Sequence, residues 1–236
     1  MVVKNKKPFS VGILFALTFL AVLLAIFSPI FGGKNGLRFA DDSFNRLSKG
    51  SSYFIPKVAK SVEKLDGKLF SAAIKIESAE EAALAAKLFS AAGATVLAEE
   101  SALKVQGDLG AVLRSAVQDA DSMFNNDGHA VSAKYGIEGK KALHTWWAAL
   151  AKIEKNMKKE KQVEDAKVVS DVMKKAIEPG YNFYGIDGQR VKDHAVMMTG
   201  LLVFYVLYTM WWGYAIFYIF EGVGLSMKKA KVKKEA

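Results

Sequence analysis

The feature that most constrains this chain is a run of 26 residues without a charge, from Ala195 to Phe220. As an α-helix this run is roughly 39 Å long, whereas the hydrocarbon core of a bilayer is roughly 30 Å thick. The sequence therefore predicts a transmembrane helix at 195–220.

Aromatic residues are distributed unusually within this run. Transmembrane helices usually carry Trp and Tyr at their ends, at the membrane–water interfaces. Here they occupy the middle and the second half, on two adjacent helix faces, as Tyr205, Tyr208, Trp211, Trp212, Tyr214 and Tyr218. A phenol or indole that leaves its polar hydrogen unpaired in lipid costs free energy. Either the helix is long and tilted with a thick aromatic belt, or these six residues form a partner-binding face, and we adopt the second interpretation as the hypothesis.

A second apolar run, VGILFALTFLAVLLAIFSPIF, occupies 11–31 and follows the basic residues Lys4, Lys6 and Lys7. A cleaved secretory signal has a similar basic head, but its apolar core is usually about 7–15 residues long and precedes a small-residue cleavage site. This run is longer, and Ser28–Gly32 offers no such site. The run is therefore predicted to be a signal anchor, the first transmembrane helix, with Pro29 kinking or ending it.

The positive charge of the chain is concentrated at its two ends. The net charge is +9, and each tail, 1–10 and 221–236, carries +3 of it. Short loops rich in lysine stay in the cytoplasm. We therefore predict a two-pass protein of the cell inner (plasma) membrane, with both termini cytoplasmic and the central domain periplasmic or extracellular. The absence of an N-x-[ST] sequon fits a bacterial envelope, and nucleic acid is not an expected partner.

Between the two spans, the segment 32–67 is predicted to be a connector with one turn near Ser43–Leu47, followed by a short helix opened by Pro56. The segment 68–126 is predicted to be a small α+β domain of order β-α-β-β-α. Strand alternation begins at Phe70, a capping box begins at Ser78, and Asp108 caps the last helix.

In this small domain, the first two strands require a parallel crossover and the next two a hairpin. The order indicates a partial ferredoxin-like unit, an architecture that identifies no function by itself. A sheet of three strands is small, so its pairing with another copy or another protein is a further expectation.

The segment 127–139 is predicted to be a loop. The following 140–178 contains neither Gly nor Pro and carries two apolar stripes separated by polar residues. It forms either a helical hairpin or one long helix, and the hairpin is preferred because no single stripe crosses the polar block. Pro179-Gly180 is predicted to stop the second helix, and 179–194 to be an interfacial loop containing Tyr181.

Little in the sequence predicts catalysis. The chain has no cysteine, and its three histidines are His129, His144 and His194. Neither apolar run contains a histidine, so a haem between the two spans is not expected. His194 lies four residues before Met198 at the membrane edge and is interpreted as an ordinary interfacial residue rather than a ligand of a partner's cofactor. No metalloprotease, phosphate-loop or nucleophile-elbow motif is present.

The predicted function is therefore that of a non-catalytic accessory or structural subunit of a larger bacterial membrane protein complex. Its expected partners are an integral membrane protein or another copy of itself, together with the lipid bilayer. No enzyme activity, cofactor, metal or small-molecule substrate is predicted. The alternative is an extracytoplasmic ligand-sensing or receptor module that signals through a partner.

Overall fold

A computed structural model describes residues 3–225. The chain divides into two compact units, one formed by residues 3–44 and 190–225 and the other by Asn45–Gln189. The C-terminal lysines from Lys228 onward, to which the cytoplasmic prediction applies, lie outside the described residues.

The first unit is built on two apolar helices, α1 (Lys6–Phe27) and α10 (Ala195–Val223), and α10 follows a short 3-10 turn at Val191–His194. Both helices are long and apolar enough to cross a membrane. The predicted pair of apolar helices is therefore confirmed. α1 begins at Lys6 rather than at Val11, and it ends at Phe27, two residues before Pro29, because a proline cannot continue the hydrogen-bond ladder.

The two helices run in opposite directions and pack closely. The backbone oxygen of Gly222, near the end of α10, accepts hydrogen bonds from the N–H groups of Lys4 and Asn5, both at 2.9 Å. A Cβ atom at Gly12 would lie 2.6 Å from the backbone nitrogen of Ile219. Glycine at this position therefore allows the helix backbones to approach each other.

The connector after the first span is a helix rather than irregular chain, so the prediction for 32–67 is wrong in this part. Helix α2 (Gly36–Ser51) has 16 residues. Leu37, Ala40, Phe44 and Leu47 recur with helical spacing on one face. The charged residues between them obscured this pattern, although Arg38, Asp42 and Arg46 lie away from the apolar face.

The second unit contains a three-stranded sheet formed by β1 (Leu69–Lys75), β2 (Thr95–Glu99) and β3 (Ala102–Asp108). Its order is β1-β3-β2, and both neighbouring pairs are antiparallel. β1 and β2 are therefore parallel to each other, as predicted, but β3 lies between them. The predicted hairpin between β2 and β3 is confirmed, with its turn at Glu100 and Ser101.

Helices cover one face of this sheet and surround a single hydrophobic core. Their bounds are α3 (Ile55–Val62), α4 (Ala79–Ala91), α5 (Leu109–Phe124), α6 (Gly128–Tyr135), α7 (Gly139–Lys159), α8 (Val163–Val172) and α9 (Glu178–Asn182). The predicted caps are present: the Ser78 side chain accepts a hydrogen bond from the N–H of Glu81, and Asp108 accepts from Gly110 and Ala111. These caps explain why α4 and α5 begin where the sequence predicts.

Two predicted boundaries in this unit are wrong. The segment 127–139 is not a loop throughout, because Asp127 caps helix α6 by accepting from the N–H of Ala130. The helical segment does not stop at Pro179-Gly180 either. A π-helical stretch at Met173–Ile177 leads into α9. Pro179 lies in the first turn of α9, a position at which helices tolerate a residue without an N–H donor.

The segment 140–178 forms a helical hairpin and not one long helix. α7 ends at Lys159, Lys161 adopts a positive φ of 62°, and α8 returns from Val163. α8 packs against α7, which buries the two apolar stripes against each other and against the core.

Candidate functional site

Four of the six predicted partner-binding residues contact α1 of the same chain. Phe19 stacks on Tyr208 with ring centroids 4.2 Å apart and lies 4.7 Å from the ring of Trp212. Phe15 stacks on Tyr218 at 6.1 Å and meets Trp211 edge-on at 6.5 Å. The structure thus brings these aromatic residues together around two phenylalanines of α1.

The phenol of Tyr208 has a hydrogen-bond partner in the same helix pair. It donates to the backbone oxygen of Phe19 at 3.2 Å. The indole nitrogen of Trp211 is buried and has no hydrogen-bond partner among the described residues. The rings of this cluster therefore pack within the chain, whereas the indole N–H of Trp211 is left without an acceptor among the described residues.

The other two predicted residues, Tyr205 and Tyr214, are largely exposed, although the ring of Tyr214 stacks on Tyr218 with centroids 6.5 Å apart. Tyr205 is 64% exposed and Tyr214 is 50% exposed. They are nine positions apart, which places them on roughly opposite sides of α10. The six residues therefore do not form one free face.

Sequence reasoning missed the contribution of α1 to this cluster. Phe15 and Phe19 are spaced i, i+4 in an otherwise aliphatic stretch and therefore lie on one helix face. That spacing was the available signal, but an isolated pair of phenylalanines in a lipid-facing helix rarely indicates anything by itself.

A groove of about 230 Å³ lies between α7 and α9 in the second unit. Leu143 and Ile177 form its apolar floor, and Trp147 and Tyr181 stand exposed at its sides. The indole N–H of Trp147 donates to Glu178 Oε1 at 3.0 Å across the groove.

The rim of the groove is polar. It is completed by His144 and Asn182, and the ammonium group of Lys140 lies 5.1 Å from the ring centroid of Tyr181. An apolar floor with a few polar groups at the rim is suited to holding a small, partly apolar group.

Trp146 does not contribute to this groove, because it is fully buried. Its indole N–H donates to Asp119 Oδ2 at 2.9 Å, and the Tyr135 hydroxyl donates to the same oxygen at 2.5 Å. Lys134 Nζ lies 2.8 Å from Asp119 Oδ1. The carboxylate of Asp119, only 3% exposed, is thus surrounded by donors from α6 and α7.

Burial and the contacts with Asp119 shift the pKa values of Tyr135 and Lys134. Burial raises the pKa of Tyr135, and its hydrogen bond to Asp119 raises it further. Burial alone would lower the pKa of Lys134, but the hydrogen bonds and negative charge of Asp119 and Tyr135 outweigh it and raise that pKa. The cluster holds α5, α6 and α7 together.

A second buried charge, Lys49 at the end of α2, binds a turn of the chain. Its Nζ donates to the backbone oxygens of Ile186 at 2.5 Å and Phe183 at 3.1 Å, and to Asn126 Oδ1 at 3.0 Å. Burial lowers the pKa of Lys49, and the negative charge of Asp187 opposes that effect. Lys49 therefore fixes the turn that precedes the return of the chain to the first unit.

The three histidines lie on separate elements. His129 is exposed on α6, His144 lies at the rim of the groove, and His194 is half-buried in the 3-10 turn before α10. Within residues 3–225, no group of three His, Asp or Glu side chains is arranged to hold a metal ion.

No protein-family model, no curated protein and no solved structure matches this chain.

Proposed function

We propose that this protein is a non-catalytic accessory or structural subunit of a larger bacterial membrane protein complex, in which α10 contacts an integral membrane partner. In this proposal α1 and α10 cross the inner membrane, both termini are cytoplasmic, and the unit Asn45–Gln189 lies outside the cytoplasm. The terminal lysines support this orientation under the positive-inside rule.

The observation that carries the proposal is the exposure of Tyr205 and Tyr214 on a membrane-length helix. Their phenols are not engaged by α1, in contrast to the phenol of Tyr208. In lipid an unpaired hydroxyl is costly, whereas a neighbouring helix offers hydrogen-bond partners. Two such residues on opposite sides of α10 fit a helix that has protein neighbours beyond α1.

The buried polar groups of the second unit support a non-catalytic role. Asp119 and Lys49 are the kind of buried charges that active sites use, but their hydrogen bonds join helices and a turn to one another. We also propose that the β1-β3-β2 sheet with α4 and α5 represents a partial ferredoxin-like unit, which acts as a scaffold.

The test replaces the exposed tyrosines, Tyr205→Leu with Tyr214→Leu, and identifies the proteins that co-purify in mild detergent. We expect insertion and folding to be retained and the amount of recovered membrane partner to fall by about fivefold. Interhelical hydrogen bonds in membranes average about 0.6 kcal/mol, so the double replacement should weaken association by roughly 1 kcal/mol or somewhat more.

The matched control is Leu202→Ala with Leu207→Ala, two apolar residues of similar exposure on the same helix. This variant should keep the partner. Loss of the partner in the control, with retention in the tyrosine variant, would contradict the proposal.

The groove between α7 and α9 favours one alternative function, an extracytoplasmic ligand-sensing module. Trp147 lies directly in this groove, so its fluorescence would report an occupant. Saturable quenching by a small molecule, abolished by Trp147→Phe, would favour the sensor over the structural subunit.

A further inference from the structure

The two edges of the sheet differ in how they are covered. Along β1, the side chain of Asn156 from α7 donates to the backbone oxygen of Ala73 at 2.8 Å. No strand of the described chain pairs with the outer edge of β2, which carries Leu97, 62% exposed, at its centre. Natural proteins usually protect such an edge with proline, lysine or a bulge, and the sequence TVLAE of β2 contains neither proline nor lysine.

The hairpin register identifies which backbone groups of β2 are free. A two-residue turn joins Glu99 to Ala102, and residues that flank such a turn exchange both hydrogen bonds. The pattern alternates along the ladder, so Leu97 also bonds to β3, whereas the N–H and C=O groups of Val96 and Ala98 point outward. Four backbone groups, two donors and two acceptors, are therefore presented at the edge.

We propose that the edge of β2 pairs with the same strand of a second copy of this chain, antiparallel and with its twofold axis at Leu97. In this register Val96 of one copy lies opposite Ala98 of the other, and each pair exchanges two hydrogen bonds. All four free groups of each strand are satisfied. The two three-stranded sheets become one sheet of six strands. The pairing involves the second unit alone, and it rests on the proposed function in one respect, because membrane anchoring supplies the local concentration that it needs.

The side chains favour a second copy in this register. Leu97 meets Leu97 of the partner subunit on the outer face, at a non-hydrogen-bonded position where side chains are closest. Val96 is half-buried and Ala98 is exposed in the single copy, and the pairing covers both. Glu99 lies opposite the partner's Thr95, which offers a hydroxyl donor.

Other registers are less complementary. A twofold axis at Val96 would place Ala98 opposite the partner's Ala94, whose N–H already donates to the backbone oxygen of Phe89. An axis at Ala98 would place Val96 opposite Glu100, which has a positive φ of 51° in the turn. A parallel arrangement would set the two Glu99 carboxylates beside each other, and like charges there are unfavourable.

The interface is small compared with stable dimers, which bury roughly 1,600 Å². It therefore requires a high local concentration of the chain, such as two membrane-anchored copies provide. The pairing should be present in membranes and should be lost on dilution in detergent.

Because the chain has no cysteine, single-cysteine variants of the full chain in native membranes test the pairing directly. In the proposed register the two Leu97 Cα atoms lie about 4.5 Å apart, within the range of a disulfide. Mild oxidation of the Leu97→Cys variant should give a disulfide-linked dimer on a non-reducing gel.

The controls are Thr95→Cys, Glu99→Cys and Leu69→Cys. The two copies of Thr95, or of Glu99, would lie about 14 Å apart, too far for a disulfide. Leu69 on β1 is 83% exposed and reports random collision. Each control should give at least tenfold less dimer than Leu97→Cys. Co-expression of Thr95→Cys and Glu99→Cys on chains of different size should give the mixed dimer.

A second variant tests the backbone hydrogen bonds. Ala98→Pro in the Leu97→Cys background removes one outward donor from each copy and leaves the bonds to β3 intact, so it should reduce the cross-linked dimer severalfold. The proposal is overturned if Leu97→Cys gives no more dimer than Leu69→Cys. It is also overturned if Thr95→Cys or Glu99→Cys alone cross-links as well as Leu97→Cys, or if Ala98→Pro has no effect.

Discussion

At the scale of single residues, the buried charges Asp119 and Lys49 are the positions at which this chain departs most from an ordinary apolar core. A buried carboxylate is tolerated when donors satisfy it, and Asp119 has three of them in Tyr135, Trp146 and Lys134. Sequence alone could not reveal this cluster, because its members come from three helices and none carries a motif.

The cluster gives a sharp prediction about stability. Asp119→Ala would leave the buried phenol of Tyr135 and the buried indole of Trp146 without this acceptor, at about 1–3 kcal/mol for each group. Lys134 would lose its partner as well, but its side chain is 35% exposed and can be hydrated. We expect the free energy of unfolding of the second unit to fall by about 2–6 kcal/mol, measured by denaturant unfolding followed through tryptophan fluorescence.

The matched control is Asp171→Ala, which removes the i, i+4 pair with Lys175 at the helix surface. Such pairs contribute about 0.3–0.5 kcal/mol. Equal effects of the two replacements would show that the Asp119 cluster contributes no more than a surface ion pair.

At the scale of elements, the sequence predicted well the segments with a clear period and capped ends. β1, α4 and α5 have these signals: Ala72, Ile74 and Ile76 alternate inward, and Ser78 and Asp108 cap their helices. The helical hairpin also followed from its two stripes. Each of these elements is specified by residues close together in the chain.

The elements that the sequence did not predict depend on distant contacts. Helix α9 continues past Pro179 because Gly180 lies against α5: a Cβ there would be 2.6 Å from the backbone oxygen of Ala120. The turn after α9 is held by Lys49, far away in the chain. The packing of α10 against Phe15 and Phe19 also depends on residues that are far apart in the chain, so neither helix alone predicts it.

That helix pair also carries an element-scale prediction. Gly12→Leu places a side chain where α10 approaches most closely, so the helices must separate or distort, and overpacking of this kind costs about 1–3 kcal/mol. We expect a lower melting temperature in detergent and a weaker near-UV circular dichroism signal, which reports the stacked rings of Phe19 and Tyr208.

The control for this prediction is Gly213→Leu on α10, because a Cβ there meets nothing within 4 Å. It should leave the melting temperature nearly unchanged. A destabilisation by Gly213→Leu equal to that by Gly12→Leu would mean that glycine matters for these helices through flexibility and not through the contact.

At the scale of the whole molecule, the positive-inside rule predicts on which side of the membrane the two termini and the domain between the apolar helices lie. Lys4 precedes α1, Lys6 and Lys7 lie in its first turn, and a second lysine cluster follows α10 in the sequence. Lysine-rich short segments resist translocation, whereas a long segment crosses largely regardless of its charge. Both termini are therefore expected in the cytoplasm, and the unit Asn45–Gln189 outside it.

Paired reporter fusions in a bacterial host test this topology. Alkaline phosphatase, active only outside the cytoplasm, should be inactive after Ala236 and active when inserted in the exposed turn at Glu100–Ser101. Green fluorescent protein does not fluoresce when it is exported unfolded. It should therefore be fluorescent after Ala236 and dark when inserted in the turn at Glu100–Ser101. Replacement of Lys4, Lys6 and Lys7 by glutamine should increase the fraction of chains with the wrong orientation. Phosphatase activity after Ala236 in the unaltered chain would place the C-terminus outside and would remove the basis for an extracytoplasmic domain between two spans.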